Sequence, residues 1–344
     1  MTQRCAVCVA NFWTACVPNE NRVGNLALMR IAVTSRSFSR HPVLRQELCD
    51  RHPGAEMAFN DTGKTLAGSD LLTFLGGHDA AIVSLEQIDG TVLDAVPELR
   101  VIAKFGVGCD NLDLAAMAAR NVLLGWTGGV NKRSVAELVI AFAISLLRHV
   151  PEVAFALRDG RWGSGGGRQL TGRTVGLVGC GHVGKEVVRM LAPFDCQILA
   201  HDIRDMPDFY REQNIEAVTL EDLLACADIV TLHVPLDDST SNLMNTGRLA
   251  LMRSDAILIN TARGGIVDET ALKARLRAGQ LAGAAFDVFA TEPPQDLELL
   301  SLPNFLATPH IGGSAAEAIL AMGRAAIDGL TQNAVPDPAG LPAG

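Results

Sequence analysis

The sequence predicts an α/β protein of two doubly wound parallel sheets with a cleft between them. Three observations carry that prediction. From Met29 onward, short and continuously apolar runs alternate with helical stretches, the pattern of strands covered on both faces. Gly163-Ser164-Gly165-Gly166-Gly167 divides this series in two, as a surface loop entering a new domain would. The second series opens with Thr174-Val175-Gly176-Leu177-Val178 and runs directly into Gly179-Cys180-Gly181-His182-Val183-Gly184, a glycine turn between a strand and a helix.

The elements follow in order. Residues 1–28 show no period and no turn logic, so they are expected to form a disordered extension. Strands are expected over 31–34, 80–85, 101–105 and 122–126, with helices over 41–52, 91–98 and 114–120. A long helix is expected over 134–149, where Ser134 and Glu137 have capping-box spacing, and a second helix reaches about residue 159. After the glycine segment, strands are expected over 174–178, 197–200, 229–232, 257–260, 283–286 and 305–307. A last helix over 315–330 follows the completed second unit and is expected to return to the first. The expected division is an extension 1–28, a first unit 29–128 completed by 312–332, a nucleotide-binding unit 129–311 and a tail 333–344.

Composition narrows the function classes. The 344 residues are 48% hydrophobic and 19% charged, with a net charge of −9. An acidic chain lacks the basic surface that nucleic-acid binding needs, so no nucleic acid is expected. No apolar run reaches the roughly 20 residues of a membrane helix, so no membrane partner is expected. An acidic protein that binds an anion must concentrate positive charge locally, at single arginines and helix N-termini. Eight cysteines are present without a turn-rich disulfide framework, which fits buried free thiols in a reducing cytoplasm. Cys5 and Cys8 have Cys-x-x-Cys spacing, but no second pair completes a metal site. Thr14-Ala15-Cys16 has the look of a signal cleavage site, but Asn11 interrupts the apolar stretch before it.

The glycine turn carries the first chemistry. Gly179 permits the tight turn, Gly181 lets a pyrophosphate approach the backbone, and Gly184 lets the helix pack on the strand. The N–H groups of His182 and Val183 would face the phosphates. Asp202 ends the next strand about 20 residues on, where an acid meets the adenosine ribose hydroxyls and repels a 2′-phosphate. That predicts NAD rather than NADP. Farther along stand Arg263, Glu292 and His310. An imidazole is a proton donor suited to neutral pH, a carboxylate can orient it, and a guanidinium can bind a substrate carboxylate.

An ordered set of motifs makes this more specific. Gly106-Val107-Gly108-Cys109-Asp110-Asn111, Ser134-Val135-Ala136-Glu137, the glycine turn, Asn260-Thr261-Ala262-Arg263-Gly264-Gly265, Asp287-Val288-Phe289 with Glu292-Pro293, and Thr308-Pro309-His310 resemble the D-isomer-specific 2-hydroxyacid dehydrogenase family, near its phosphoglycerate dehydrogenase-like branch. The resemblance implies a flavodoxin-like substrate domain and a Rossmann NAD domain. It also implies hydride transfer between NAD and a small 2-oxo or 2-hydroxy acid. Arg263, Glu292 and His310 take the catalytic roles. His233, Val234, Pro235, Thr261, Ala262, Asp287 and Gly313 are expected at the cofactor, with Asp287 on the nicotinamide amide. Backbone groups of Val107 and Gly108 are expected at the substrate carboxylate, and Lys104 is expected to add positive charge. A cytoplasmic homodimer is expected, with the helix after Ser134 at its interface. Val83 stands where phosphoglycerate enzymes carry a basic residue, beside Glu86. 3-Phosphoglycerate therefore remains an alternative substrate, and an NAD(H)-sensing corepressor remains an alternative role.

Overall fold

The computed structural model describes residues 29–163 and 165–338. The 1–28 extension, with its Cys-x-x-Cys pair and Thr14-Ala15-Cys16, lies outside the described residues, as does the tail beyond residue 338.

Two parallel sheets organise the protein. The first contains β1 (Arg30–Val33), β2 (Glu56–Phe59), β3 (Ala80–Val83), β4 (Val101–Lys104) and β5 (Leu123–Gly125), in the order β2-β1-β3-β4-β5. The second contains β6 (Thr174–Val178), β7 (Gln197–His201), β8 (Ile215–Ala217), β9 (Ile229–Leu232), β10 (Ile257–Asn260), β11 (Gly283–Phe286) and β12 (Phe305–Ala307). Its order is β12-β11-β10-β9-β6-β7-β8. Each order reverses direction once, at β1/β3 and at β6/β9, so both sheets are doubly wound.

The strand sequences require cover on both faces. Successive side chains point to opposite sides of a strand. Ile31 and Val33 pack with Phe38, Leu44 and Leu48, whereas Ala32 packs with Leu71 and Leu75. In the second sheet, Val175 and Leu177 meet Val139 and Phe142, while Val178, Val230 and Leu232 meet Leu223, Leu249 and Leu272. Apolar side chains on both faces must be shielded by helices, which is why these strands read as unbroken apolar runs.

Two strands depart from the expected set. β2 and β8 are edge strands with polar residues and partial exposure, so neither carries a continuous apolar signal. The long helix runs Lys132–Leu147 with Asn131 as its N-cap. Ser134 therefore does not cap it; its hydroxyl donates to the Gly312 carbonyl at 2.5 Å. The last helix, Ala316–Gly329, packs on β4, β5 and the helix Pro42–Arg51 of the first unit. Arg324 on it pairs with Glu47 at 2.7 Å. Ala334, in the expected tail, pairs with Leu124 as an antiparallel bridge at the β5 edge. The five described cysteines are free thiols. Cys49 and Cys226 are exposed rather than buried.

The two chain crossings lie side by side. A methyl group on Gly313 would come within 2.9 Å of the Asn131 amide nitrogen. The Ser134–Gly312 hydrogen bond joins the same two segments.

Candidate active site at the carboxyl edge of the larger sheet

The strand order lines up the predicted residues. Read from β12 to β7, the carboxyl ends carry His310, then Asp287 and Glu292, then Arg263, then His233, then the glycine turn, then Asp202. Five strand spacings of about 4.8 Å separate the ends of this row, ~24 Å in all. The row crosses the β6/β9 reversal, where open α/β sheets form their ligand crevice.

At one end stands the turn after β6. Gly179 has φ +92°, and a methyl group there would lie 2.7 Å from the His233 carbonyl oxygen. Gly184 faces the Gly179 carbonyl oxygen, which a methyl group would approach to 2.5 Å. Gly181 is different: the nearest atom to a methyl group there would be an Arg204 nitrogen at 3.7 Å, so its surface is open. The helix His182–Leu191 starts directly after it, leaving first-turn N–H groups for an outside acceptor.

Asp202 is turned toward this loop. One carboxylate oxygen accepts from the Cys180 N–H at 2.7 Å, and the other from the Arg204 N–H at 2.8 Å. Ile203 beside it is 96% exposed, an apolar side chain with no place in the core. Sequence reading passed over it, although an isoleucine directly after the strand-end acid breaks the apolar-in pattern. His182 lies against Gly128 and Gly129 of the first crossing. Burial lowers the tendency of its imidazole to protonate, and Lys132, Lys185 and Arg204 add to that. The His233 ring contacts the Thr231 hydroxyl at 3.0 Å, and burial holds it down to about 3. It is a neutral support beneath the turn; Val234 is half-buried and Pro235 is exposed.

At the other end, three strand ends hold the triad. Asn260, buried at the end of β10, accepts from the Ala262 N–H at 3.1 Å and donates to the Arg263 carbonyl at 2.9 Å. This shapes the loop that presents Arg263. The Glu292 carboxylate accepts from the Phe289 N–H at 3.1 Å through one oxygen and meets His310 Nδ1 at 2.9 Å through the other. A carboxylate only accepts, so Nδ1 carries the hydrogen and Nε2 is left facing outward. His310 has φ +54°, an uncommon backbone conformation for a residue with a side chain, and its side chain is 52% exposed.

Asp287 explains how that conformation is held. Its carboxylate is 1% exposed as a residue and accepts three hydrogen bonds: from the Thr308 hydroxyl at 2.6 Å, the Ile311 N–H at 2.7 Å and the Gly312 N–H at 2.7 Å. Its backbone carbonyl accepts from the His310 N–H at 2.9 Å. The carboxylate thereby clamps the 308–312 turn. Gly313 lies against Asn131.

The first unit faces this row with the 106–111 loop. Lys104 does not line the cleft as expected. It is 5% exposed, and its amine donates to the Ser84 carbonyl and, at 2.7 Å, to Asn111 Oδ1. Burial is the main reason its amine falls to about 8, and Arg263 adds to it against the pull of Cys109, Glu86 and Asp110. Lys104 therefore ties the loop after β3 to the loop after β4. Glu86 is buried and accepts from the Ser84 N–H at 2.8 Å. Val107 accepts from the Trp126 indole at 2.8 Å through its carbonyl. Among the described residues, the N–H groups of Val107 and Gly108 have no acceptor.

Comparison with known proteins agrees with this geometry. Residues 140–312 match the family model described as D-isomer specific 2-hydroxyacid dehydrogenase, NAD binding domain. The chain belongs to the D-isomer-specific 2-hydroxyacid dehydrogenase family. It is 35% identical to a hydroxypyruvate reductase of Thermotoga maritima, over 75% of this chain and 85% of that one. It is 38% identical to D-3-phosphoglycerate dehydrogenase of Mycobacterium tuberculosis over 72% of this chain, but spans only 48% of that enzyme's length. A Thermus thermophilus protein of known crystal structure superposes with a TM-score of 0.76 at 35% identity, over 87% of this chain and 94% of that one.

The cofactor of this family's nucleotide domain is NAD, and the residues present fit it. The open surface of Gly181 leaves room for a phosphate. The Thr261 hydroxyl, beside Arg263, is buried without a hydrogen-bond partner among the described residues. Such a group is costly unless a ligand satisfies it.

Proposed function

We propose that this chain is an NAD-dependent oxidoreductase that interconverts a small D-2-hydroxy acid and its 2-oxo acid, with Arg263, Glu292 and His310 as its catalytic residues. One observation carries the reading: the His310–Glu292 pair at 2.9 Å stands two strand ends from Arg263, in the same row as the glycine turn. NAD, when bound, carries the hydride to or from C2 of the acid.

Gly181, His182 and Val183 hold the diphosphate by backbone N–H groups, and Asp202 and Ile203 take the adenosine end. Val234, Pro235, Thr261, Ala262 and Gly313 border the rest of the cofactor. His233 acts from behind, shaping the turn after β6, and Asp287 takes the nicotinamide amide while it clamps the 308–312 turn. Arg263 and the N–H groups of Val107 and Gly108 receive the substrate carboxylate. In the reducing direction, His310 Nε2 gives its proton to the oxo oxygen. Glu292 keeps Nδ1 protonated and steadies the charge on the ring. The half-exposed imidazole then recovers a proton from water, which balances the reaction.

The substrate is read as an unphosphorylated oxo acid. Val83 is fully buried, Glu86 accepts from Ser84, and Leu85 is 67% exposed, so this loop presents no cation to a phosphate. The 38% identity to a phosphoglycerate dehydrogenase favours 3-phosphoglycerate as the second reading. A cytoplasmic homodimer completes the proposal. The helix Val150–Arg158 buries none of its residues. Phe155, Leu157 and Trp162 are 61%, 56% and 92% exposed, and Phe155 lines a surface hollow of about 690 Å³. Such an apolar patch calls for a partner. Light scattering is expected to give twice the chain mass, and Phe155→Asp is expected to give a monomer; a monomeric parent protein refutes this part. Among the described residues, no single helix is long and apolar enough to cross a membrane.

His310→Ala tests the chemistry. It is expected to lower kcat with glyoxylate or hydroxypyruvate by about 10³-fold while NADH still binds, as read by fluorescence. Unchanged turnover at pH 7 removes His310 as the proton donor.

A further inference from the structure

Arg263 is held from across the cleft. Its Nε donates to Asp110 Oδ2 at 2.9 Å, and its Nη1 donates to the Ala262 carbonyl at 2.7 Å. Asp110 belongs to the loop after β4 of the first sheet, whereas Arg263 follows β10 of the second. The guanidinium lies over Gly108: a methyl group there would meet Arg263 Nη2 at 2.1 Å and Asp110 Oδ2 at 2.9 Å. Two of the three nitrogens are thus committed, one to each unit, and Nη2 is left beside Gly108.

We propose that Asp110 is a positioning residue for the reaction: it fixes the Arg263 guanidinium from the opposite unit so that Nη2, with the N–H groups of Val107 and Gly108, meets the substrate carboxylate. The proposal rests on reading Arg263 as the carboxylate-binding residue. The physical case is one of preorganisation. An arginine side chain has many rotamers, and a contact on its Nε edge removes most of them before substrate arrives. Because that contact bridges the two units, the guanidinium takes its working orientation only when the cleft has this spacing. Stability gives no competing reason for the pair. The Asp110 side chain is 61% exposed and that of Arg263 32%, and exposed ion pairs contribute little to folding. Asp110 also places a negative charge near an incoming carboxylate. If that repulsion outweighed the positioning, removing it would tighten substrate binding, so the two effects have opposite signs.

The test compares Asp110→Ala and Asp110→Asn by steady-state kinetics with hydroxypyruvate, and by oxamate binding to the NADH complex, read from NADH fluorescence. Asp110→Ala is expected to raise KM and the oxamate Kd about tenfold, the effect of losing one oriented charge-assisted contact. kcat should stay within about twofold, with NADH Kd and Tm unchanged. Asp110→Asn keeps a carbonyl oxygen that accepts from Nε, so it is expected to return both constants to within about threefold of the parent. Constants that do not move in Asp110→Ala overturn the proposal. So do constants that fall in both variants, which make Asp110 a competitor for the guanidinium, and so does a lower kcat at unchanged KM. Arg263→Gln is the separate control: if it leaves the oxamate Kd unchanged, the carboxylate-binding role itself fails, whatever the Asp110 variants do.

Discussion

The buried amine of Lys104 makes a quantitative prediction. The residue is 5% exposed, and its amine is lowered from 10.5 to about 8, mainly by burial. In the unfolded chain it keeps the ordinary lysine value. Below pH 8 both states are protonated, and the native state bears the full cost of burying the charge. Between pH 8 and 10.5 the native amine is neutral while the unfolded one still holds its proton. The unfolded state then binds more protons, so stability rises with pH. Each pH unit corresponds to about 1.4 kcal/mol, so the whole window is worth ~3 kcal/mol. Lys104→Met removes this term. It also leaves the Ser84 carbonyl and Asn111 Oδ1 without that donor, a cost of about 1–3 kcal/mol. The measurement is urea unfolding of parent and variant at pH 7, 8, 9 and 10. The two share their other titrating groups, and Cys109, whose thiol Lys104 pulls down, is replaced by serine in both, so the difference isolates the amine. The parent is expected to gain on the variant by about 1.4 kcal/mol per unit above pH 8. Parallel curves over that range would show that burial does not lower the amine, and the account of the 83–86 and 106–111 loops as tied through a strained charge would be refuted.

Two further predictions concern the larger sheet. Glu292→Gln keeps the size of the side chain but removes the charge that steadies a protonated imidazole, so kcat should fall about 10²-fold with NADH affinity intact; parent-like kcat would take Glu292 out of the mechanism. Gly184→Ala forces a methyl group to within 2.5 Å of the Gly179 carbonyl oxygen. It should cost about 1–3 kcal/mol of stability and weaken NADH binding, and a variant with parent Tm and NADH Kd would show that the turn has slack.

How far the sequence could be read depended on position in the sheets. β3, with the sequence Ala80-Ala81-Ile82-Val83, is buried at every residue and is plain as an unbroken apolar run. β8, with Ile215-Glu216-Ala217, is buried only at Ile215 and has no such run, because its other two residues face solvent. The glycine turn was legible because its spacing between a strand and a helix is local: Gly184 answers to the Gly179 carbonyl within one strand-turn-helix unit, although Gly179 itself answers to the His233 carbonyl after β9. Asp287 was not. An aspartate at a strand end is equally suited to a ligand and to a turn, and only the position of β12 beside β11 brings the Ile311 and Gly312 N–H groups to it. Lys104 likewise gave no sign that it would turn inward, since its partners Ser84 and Asn111 belong to two different loops.

By itself the amino-acid order determined the alternation of strands and helices, the place of the dinucleotide turn, and the supply of an imidazole, a carboxylate and a guanidinium after it. Periods of 2 and 3.6 residues and the backbone freedom of glycine are local properties, so they can be read along the chain. Tertiary structure decided where each polar group points: His310 to Glu292 across 18 residues, Ser134 to Gly312 across 178 and Arg263 to Asp110 across 153. Those pairings follow from strand order and from the meeting of two separately folded sheets, and a hydrogen bond responds to distance in space rather than to separation along the chain.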